Sequence, residues 1–158
     1  MKKLKYILLG GLFALGMTAC DDYLDVNTDP DNPTAETATP EVRLTWIQNF
    51  FEYAWSSASM RSSQITGVLT QTSTTSANGL LAKWNPGQGS ATTPYQNWYI
   101  GAAVNIEPLI TAAEAVGANH YAGAAHTIKA MGFMMMLDLF GEIPYHQAFT
   151  GKYDPAYD

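Results

Sequence analysis

The residues that could bind a metal ion begin with an oxygen-rich run near the N-terminus. From Asp25 to Asp31 a side-chain oxygen recurs at every second position, and Glu36 is the twelfth residue of the run. This is the ligand spacing of an EF-hand calcium loop. The sixth position, however, is Pro30, where the sharp turn of that loop requires glycine, and no helix pattern precedes the run. A polar leader without calcium is therefore favoured.

The remaining side chains predict neither a catalytic centre nor another metal site. His120 and His126 are six residues apart, so a helix would place them on different faces, unlike the i, i+4 pair of helical zinc sites. Cys20 is the only cysteine, which excludes an internal disulfide and a cysteine-based zinc site. The sequence contains no phosphate-binding glycine loop, nucleophile elbow or recognisable carboxylate pair. We predict a protein that is not an enzyme and holds no cofactor or metal.

Trp84 is the residue best suited to contact a ligand. It lies in a polar, glycine-rich stretch between Lys83 and Asn85. An exposed indole beside amide groups offers a sugar ring an apolar platform with hydrogen-bond donors at its edge. The alternative is a loop anchored by one buried tryptophan.

The first residues of the chain predict export and lipid attachment. Lysines at positions 2, 3 and 5 precede an apolar stretch over residues 6–17, which is shorter than the roughly 18 to 20 residues that span a bilayer. Small residues then precede Cys20, as in a bacterial lipobox, whose cysteine becomes the lipidated N-terminus. We predict a lipoprotein signal peptide over residues 1–19 and a lipid anchor on Cys20. An ordinary secretory signal with an unrelated cysteine is the alternative.

Composition excludes several classes of protein. The sequence is 47% apolar and 14% charged, too apolar for a disordered chain and too poor in charge for a coiled coil. Its net charge is −6, and loss of residues 1–19 would remove three lysines and no acid, leaving −9. We therefore expect no nucleic-acid partner. Residues 20–39 are enriched in acids, and we predict that they form an extended leader after the lipid.

The rest of the chain has the periodicity of helices. Thr39 and Pro40 predict a helix start, because threonine can cap a first turn and proline suits its first position. Apolar residues recur at three- and four-residue steps over 47–58. Residues 56–78 are rich in Ser and Thr and mark a second helix only weakly. Turn signals over 79–94 predict a loop around Trp84.

Two longer helices are predicted beyond this loop. The first spans about 93–117 and should be kinked or broken at Pro108. The second spans about 118–140 and is followed by Gly141 in a capping position. Joined around Gly117, the two form an αα-hairpin, and the tryptophans at 46, 55 and 98 suit a helical core. The fold class predicted is all-α, although no internal repeat is visible in the sequence.

Three segments together resemble one family, the SusD/RagB-like nutrient-binding outer-membrane lipoproteins. Residues 23–34, directly after the lipobox cysteine, resemble the leader of these proteins. Residues 138–149 resemble their Asp-x-Tyr-Gly-x-x-Pro-Tyr segment, with Phe140 where tyrosine is common. Residues 153–158 resemble the stretch before the next helix of the family.

The resemblance implies a tetratricopeptide-like helical scaffold with irregular loops. It implies a lipid-anchored protein on the outer face of the outer membrane that captures a glycan or oligopeptide without catalysis. The partner implied is a TonB-dependent SusC-like transporter, to which the ligand is delivered. Members are several hundred residues long, so we expect residues 40–158 to be the N-terminal part of a truncated SusD-like domain.

Two other functions remain open at this point. The chain could belong to a surface-anchored hydrolase whose catalytic domain lies beyond residue 158, or it could form a structural lid for the transporter without contacting a ligand. Further helical segments downstream would favour capture, whereas a catalytic motif there would favour the hydrolase.

Overall fold

The computed structural model describes residues 37–70, 77–87 and 89–151, without the side chains of residues 77–79. The predicted signal peptide, Cys20, the acidic leader, the calcium-like spacing and the family-like segment 153–158 therefore lie outside the described residues. The described ranges form helices and turns and contain no strand, so the predicted all-α class is confirmed. None of their helices combines the length and apolar character needed to cross a bilayer.

Helix α1 spans Pro40–Ile65 and begins where the sequence predicts. Thr39 is extended before it (φ −71°, ψ 160°), and its hydroxyl bonds to the Glu41 side chain rather than capping the backbone. That bond lowers the pKa of the Glu41 carboxyl. The weakly marked prediction of a second helix over 56–78 is wrong in its first half, because α1 continues through the serine-rich stretch. Serine hydroxyls bond back to carbonyls one turn earlier, as from Ser62 Oγ to the Ala58 oxygen (3.1 Å).

The next elements are short until the chain reaches the hairpin. Helix α2 spans Ala77–Ala82, so the loop predicted over 79–94 is wrong in its first four residues, which are helical, and the turn around Trp84 follows the helix. Helix α3 spans Thr92–Gln96 and passes into a π-helical segment, Asn97–Ala102, and a 3₁₀ turn, Ala103–Asn105.

The predicted break near Pro108 occurs upstream of the proline. Helix α4 spans Ile106–Ala115, so Pro108 lies in its first turn. A proline has no N–H to give to the carbonyl four residues earlier, and its ring would clash with that carbonyl, here that of Val104. The regular α-helix before Pro108 ends at Gln96, and the irregular backbone over 97–105 separates it from α4. Pro108 therefore does not lie in the interior of one continuous helix.

The αα-hairpin forms as predicted. Helix α5 spans Asn119–Phe140, and positive φ angles at Gly117 (69°) and Gly141 (77°) end α4 and α5. Helices α4 and α5 pack against each other, and α1 packs across α5 and the π segment. The segment Ile143–Pro144 leaves α5 as an irregular, buried connection.

Trp98 lies at the centre of the core and is fully buried. Trp46 and Trp55 were predicted to be core residues as well, and this is wrong, because about half of Trp46 and over a third of Trp55 are exposed. Trp46 instead lies across the π segment and donates from Nε1 to the Gly101 oxygen (3.1 Å). Most of the buried apolar residues of this core come from α1, the π segment, α4 and α5: Ile47, Ala54, Ala58, Tyr99, Ala102, Ile106, Leu109, Ile110, Ala125, Ile128, Phe133, Met135 and Met136.

Candidate functional site

The turn after α2 presents Trp84 to solvent. Asn85 N–H bonds to the Leu80 oxygen and Trp84 N–H bonds to the Leu81 oxygen, both at 2.9 Å. These two bonds form the Schellman arrangement that ends a helix, and they place Trp84 at the position usually taken by glycine. Its φ is accordingly +59°, in the left-handed region. The backbone thus closes α2 and projects the indole from a tight turn.

The interpretation of Trp84 as a buried anchor is not supported, because the residue is 76% exposed. In a buried anchor, apolar burial would offset the strain of the backbone. Trp84 is exposed and gains little apolar burial. A left-handed conformation costs a residue with a Cβ roughly 1–2 kcal/mol. Such strain at an exposed aromatic residue is a reason to look for a function at that position.

A groove of about 240 Å³ is lined by residues on either side of this turn, although Trp84 itself is not one of the lining residues. The turn supplies one wall through Leu81, Pro86 and Gly87, and the end of α1 supplies Arg61 and Ile65. The remaining walls are formed by the start of α3 and the end of α5: Ser90, Ala91, Pro94, Leu139 and Phe140. Its surface is therefore apolar apart from a few polar groups, as is usual for sites that bind small molecules.

Arg61 and Ser90 are the polar groups of the groove that the sequence analysis missed. Arg61 is half-buried; it donates from Nε to the Ser90 carbonyl and from Nη1 to the Ser57 carbonyl (3.1 Å). Burial lowers the pKa of Arg61. Arg61 is the only basic residue between Arg43 and Lys83, and this was the one signal in the sequence that could have singled it out.

A second concavity, of about 370 Å³, lies beside the αα-hairpin. Its cation is already paired, since Lys129 Nζ is 2.7 Å from Glu107 Oε1 and 5.3 Å from the centre of the Tyr145 ring. His146 lies in its wall, and the other two histidines lie on α5; all three are exposed. Within the described ranges, no three His, Cys, Asp or Glu side chains lie close enough together to hold a metal ion.

Fold and site together define an all-α protein that presents an aromatic platform beside a largely apolar groove. A family model, SusD-like and described as starch-binding and associating with the outer membrane, matches residues 31–158. The chain therefore belongs to this SusD-like family, as the resemblance of its segments predicted. Proteins of this family bind ligands rather than catalyse reactions, and membership implies a glycan-binding role at the outer membrane. No curated protein and no solved structure gives a significant match to the chain.

Proposed function

We propose that the chain captures a glycan or oligopeptide at the groove beside Trp84 and delivers it to a TonB-dependent SusC-like transporter. The observation that carries the proposal is the exposed indole of Trp84, held in a strained turn that also forms one wall of the groove. Starch binding in the family supports a sugar as the stacking partner. A pyranose ring has an apolar face that packs on an indole, while its hydroxyls reach polar groups at the edge.

The capture step is tested by binding of maltoheptaose and of a tripeptide amide to the full chain. Trp84→Ala should weaken binding by about tenfold or less, because one aromatic contact is worth about 1 kcal/mol. Trp84→Phe should retain part of the affinity. Trp55→Ala is the matched control, since it removes a partly exposed tryptophan that is not in this turn. Equal affinity of the Trp84→Ala variant and the unmodified protein would contradict the proposed contact.

Anchoring to the membrane is the second part of the proposal. It rests on the lipobox-like sequence before Cys20, which lies outside the described residues, and on the outer-membrane association of the family. Cys20→Ala should release the protein from the membrane fraction or block its maturation. If the variant still partitions with membranes as a lipid-modified species, the proposed attachment at Cys20 is wrong.

Delivery to a transporter is the third part. It rests on the resemblance to SusD/RagB-like lipoproteins and on membership of a family that associates with the outer membrane. The tagged full chain, solubilised from outer membranes in mild detergent, should co-purify with a TonB-dependent barrel that mass spectrometry can identify. Isolation of the chain from outer membranes without any such barrel would contradict the partnership.

A further inference from the structure

Arg61 is a half-buried cation without an acidic partner in the part of the chain that the structure describes. In those ranges the ion pair found joins Lys129 to Glu107, and no carboxylate lies within ion-pairing distance of Arg61. The carbonyls of Ser57 and Ser90 satisfy two N–H groups but bring no opposite charge. A guanidinium in this state has lost part of its hydration without the compensation that an anion would provide.

The guanidinium also retains unused donors. An arginine side chain has more N–H groups than two carbonyls can engage, and their planar fork matches a carboxylate. Arg61 lines the groove, so a ligand there is within reach of these donors.

Ser90 supplies a second, independent indication of a ligand. Ser90 is only 4% exposed and is one of the residues that line the same groove, and its hydroxyl has no hydrogen-bond partner among the described residues. Buried hydroxyls are normally paired, because an unpaired one loses its bonds to water without replacement. The Oγ atom is itself inaccessible to water, so rotation of the Ser90 side chain toward the groove would give it a ligand oxygen as the partner that it lacks.

We propose that this groove recognises a carboxylate group of the captured ligand, with Arg61 as the residue that determines specificity and Ser90 Oγ as a second hydrogen-bonding group. The inference rests on the proposed capture function and adds the chemical class of the ligand. Two sources carry this group, a hexuronic acid unit of an acidic glycan and the C-terminus of an oligopeptide. The apolar walls at Pro94 and Phe140 suit the ring or side chain to which the carboxylate is attached.

Matched pairs of acid and neutral probes test directly whether the groove recognises the negative charge of a carboxylate. Tetragalacturonic acid is compared with its methyl ester, and a tripeptide acid with its amide, by calorimetry on the full chain in mild detergent. The unmodified protein should bind the acid of one pair about 10- to 100-fold more tightly than the neutral form, the range expected for hydrogen bonds to a charged group. The pair that shows the preference identifies the source of the carboxylate. Added salt should reduce the preference.

Variants of α1 then assign the preference to one residue. Arg61→Gln should bind acid and neutral probes equally, whereas Arg61→Lys, which keeps the charge and loses the fork, should retain part of the preference. Arg43→Gln is the control, because it removes the same charge from the same helix outside the groove. Circular dichroism reports whether each variant is folded.

Several results would overturn the inference. Equal binding of acid and neutral probes by the unmodified protein would do so without any variant, as would failure of both acids to bind. A charge preference that survives in folded Arg61→Gln would assign it to another residue. Maltoheptaose binding that still depends on Trp84 in any of these cases would leave the capture proposal intact, so the two can fail separately.

Discussion

Trp98 and Trp84 place the same side chain in opposite environments. Trp98 is fully buried, and its ring packs edge-on against Phe133, with 5.2 Å between ring centres. It also lies against the backbone of α5 at Gly132, where a Cβ would overlap the indole. Trp84, in contrast, projects from the end of α2 with three quarters of its surface exposed.

The comparison shows whether neighbouring residues or the tryptophan's own backbone accommodate each indole. Around Trp98 the neighbouring helix makes room for the ring, since α5 has a glycine at the contact. At Trp84 the backbone adapts, since a non-glycine residue occupies a left-handed position. Burial of Trp98 stabilises the core through apolar area, whereas exposure of Trp84 has a cost that packing does not offset. The first tryptophan therefore serves stability, whereas the exposure and strained backbone of the second fit the binding role that we propose for it.

The largest expected effect comes from disturbing the packing around Trp98. Gly132→Ala adds a methyl group that would overlap the indole ring, and the rigid ring and helix backbone leave little room to move. We expect a loss of about 3 kcal/mol in the free energy of unfolding. Urea denaturation of the full chain, followed by circular dichroism, measures it.

Gly123→Ala in the same helix is the matched control. A Cβ at position 123 would meet nothing within 4 Å, so the substitution should stabilise α5 by about 0.5–1 kcal/mol through helix propensity alone. If the alanines at 132 and 123 have the same effect, the close contact between Trp98 and α5 is absent in solution.

A smaller effect on stability is expected at Trp84, where the left-handed backbone conformation is unfavourable. Trp84→Ala retains a Cβ in the left-handed conformation, whereas Trp84→Gly removes it. We expect the glycine variant to be more stable than the alanine variant by about 1 kcal/mol, after allowance for the greater freedom of unfolded glycine. Thermal unfolding of the two variants measures this difference. An alanine variant that is as stable as the glycine variant would exclude a left-handed backbone at this position.

The smallest effect is expected at the ion pair beside the second concavity. Glu107→Gln should lower the free energy of unfolding by at most about 0.5 kcal/mol, because the pair is solvent-accessible and screened by salt. The hydrogen bond that Lys129 Nζ donates to Glu107 Oε1 raises the pKa of Lys129 above its ordinary value. A raised lysine pKa stabilises the fold below the unfolded value, so the difference between the proteins should vanish as the pH rises through the Lys129 pKa. A difference that persists at that pH would point to packing instead.

The ends of helices could be predicted from the sequence because local chemistry determines them. Pro40 suits a first turn, and Gly117 and Gly141 can adopt the positive φ angles that end α4 and α5. The irregular backbone over 97–105 could not be placed, because the effect of Pro108 depends on how the preceding turns relax around it. The exposure of Trp46 was missed for a related reason, since helical periodicity identifies a face without saying what covers it.

The candidate site could be predicted only in part. The exposed position of Trp84 in a turn was predicted because turn residues and an aromatic side chain are adjacent in sequence. Its left-handed backbone was not, because glycine or asparagine usually marks that position. Arg61 and Ser90 come together through the packing of α1 against the turn before α3, and no local pattern records this contact.

The most direct test of the role assigned to Trp84 is chemical modification of the tryptophans with and without ligand. The full chain is oxidised under mild conditions, and mass spectrometry follows each indole; the ligand is whichever of maltoheptaose, tetragalacturonic acid or the tripeptide acid binds most tightly. We predict that Trp84 reacts rapidly in the free protein and is protected by saturating ligand. Trp46 and Trp55 should react equally in both states, and buried Trp98 should stay unmodified. Unchanged reactivity of Trp84 at saturation would contradict capture at this turn.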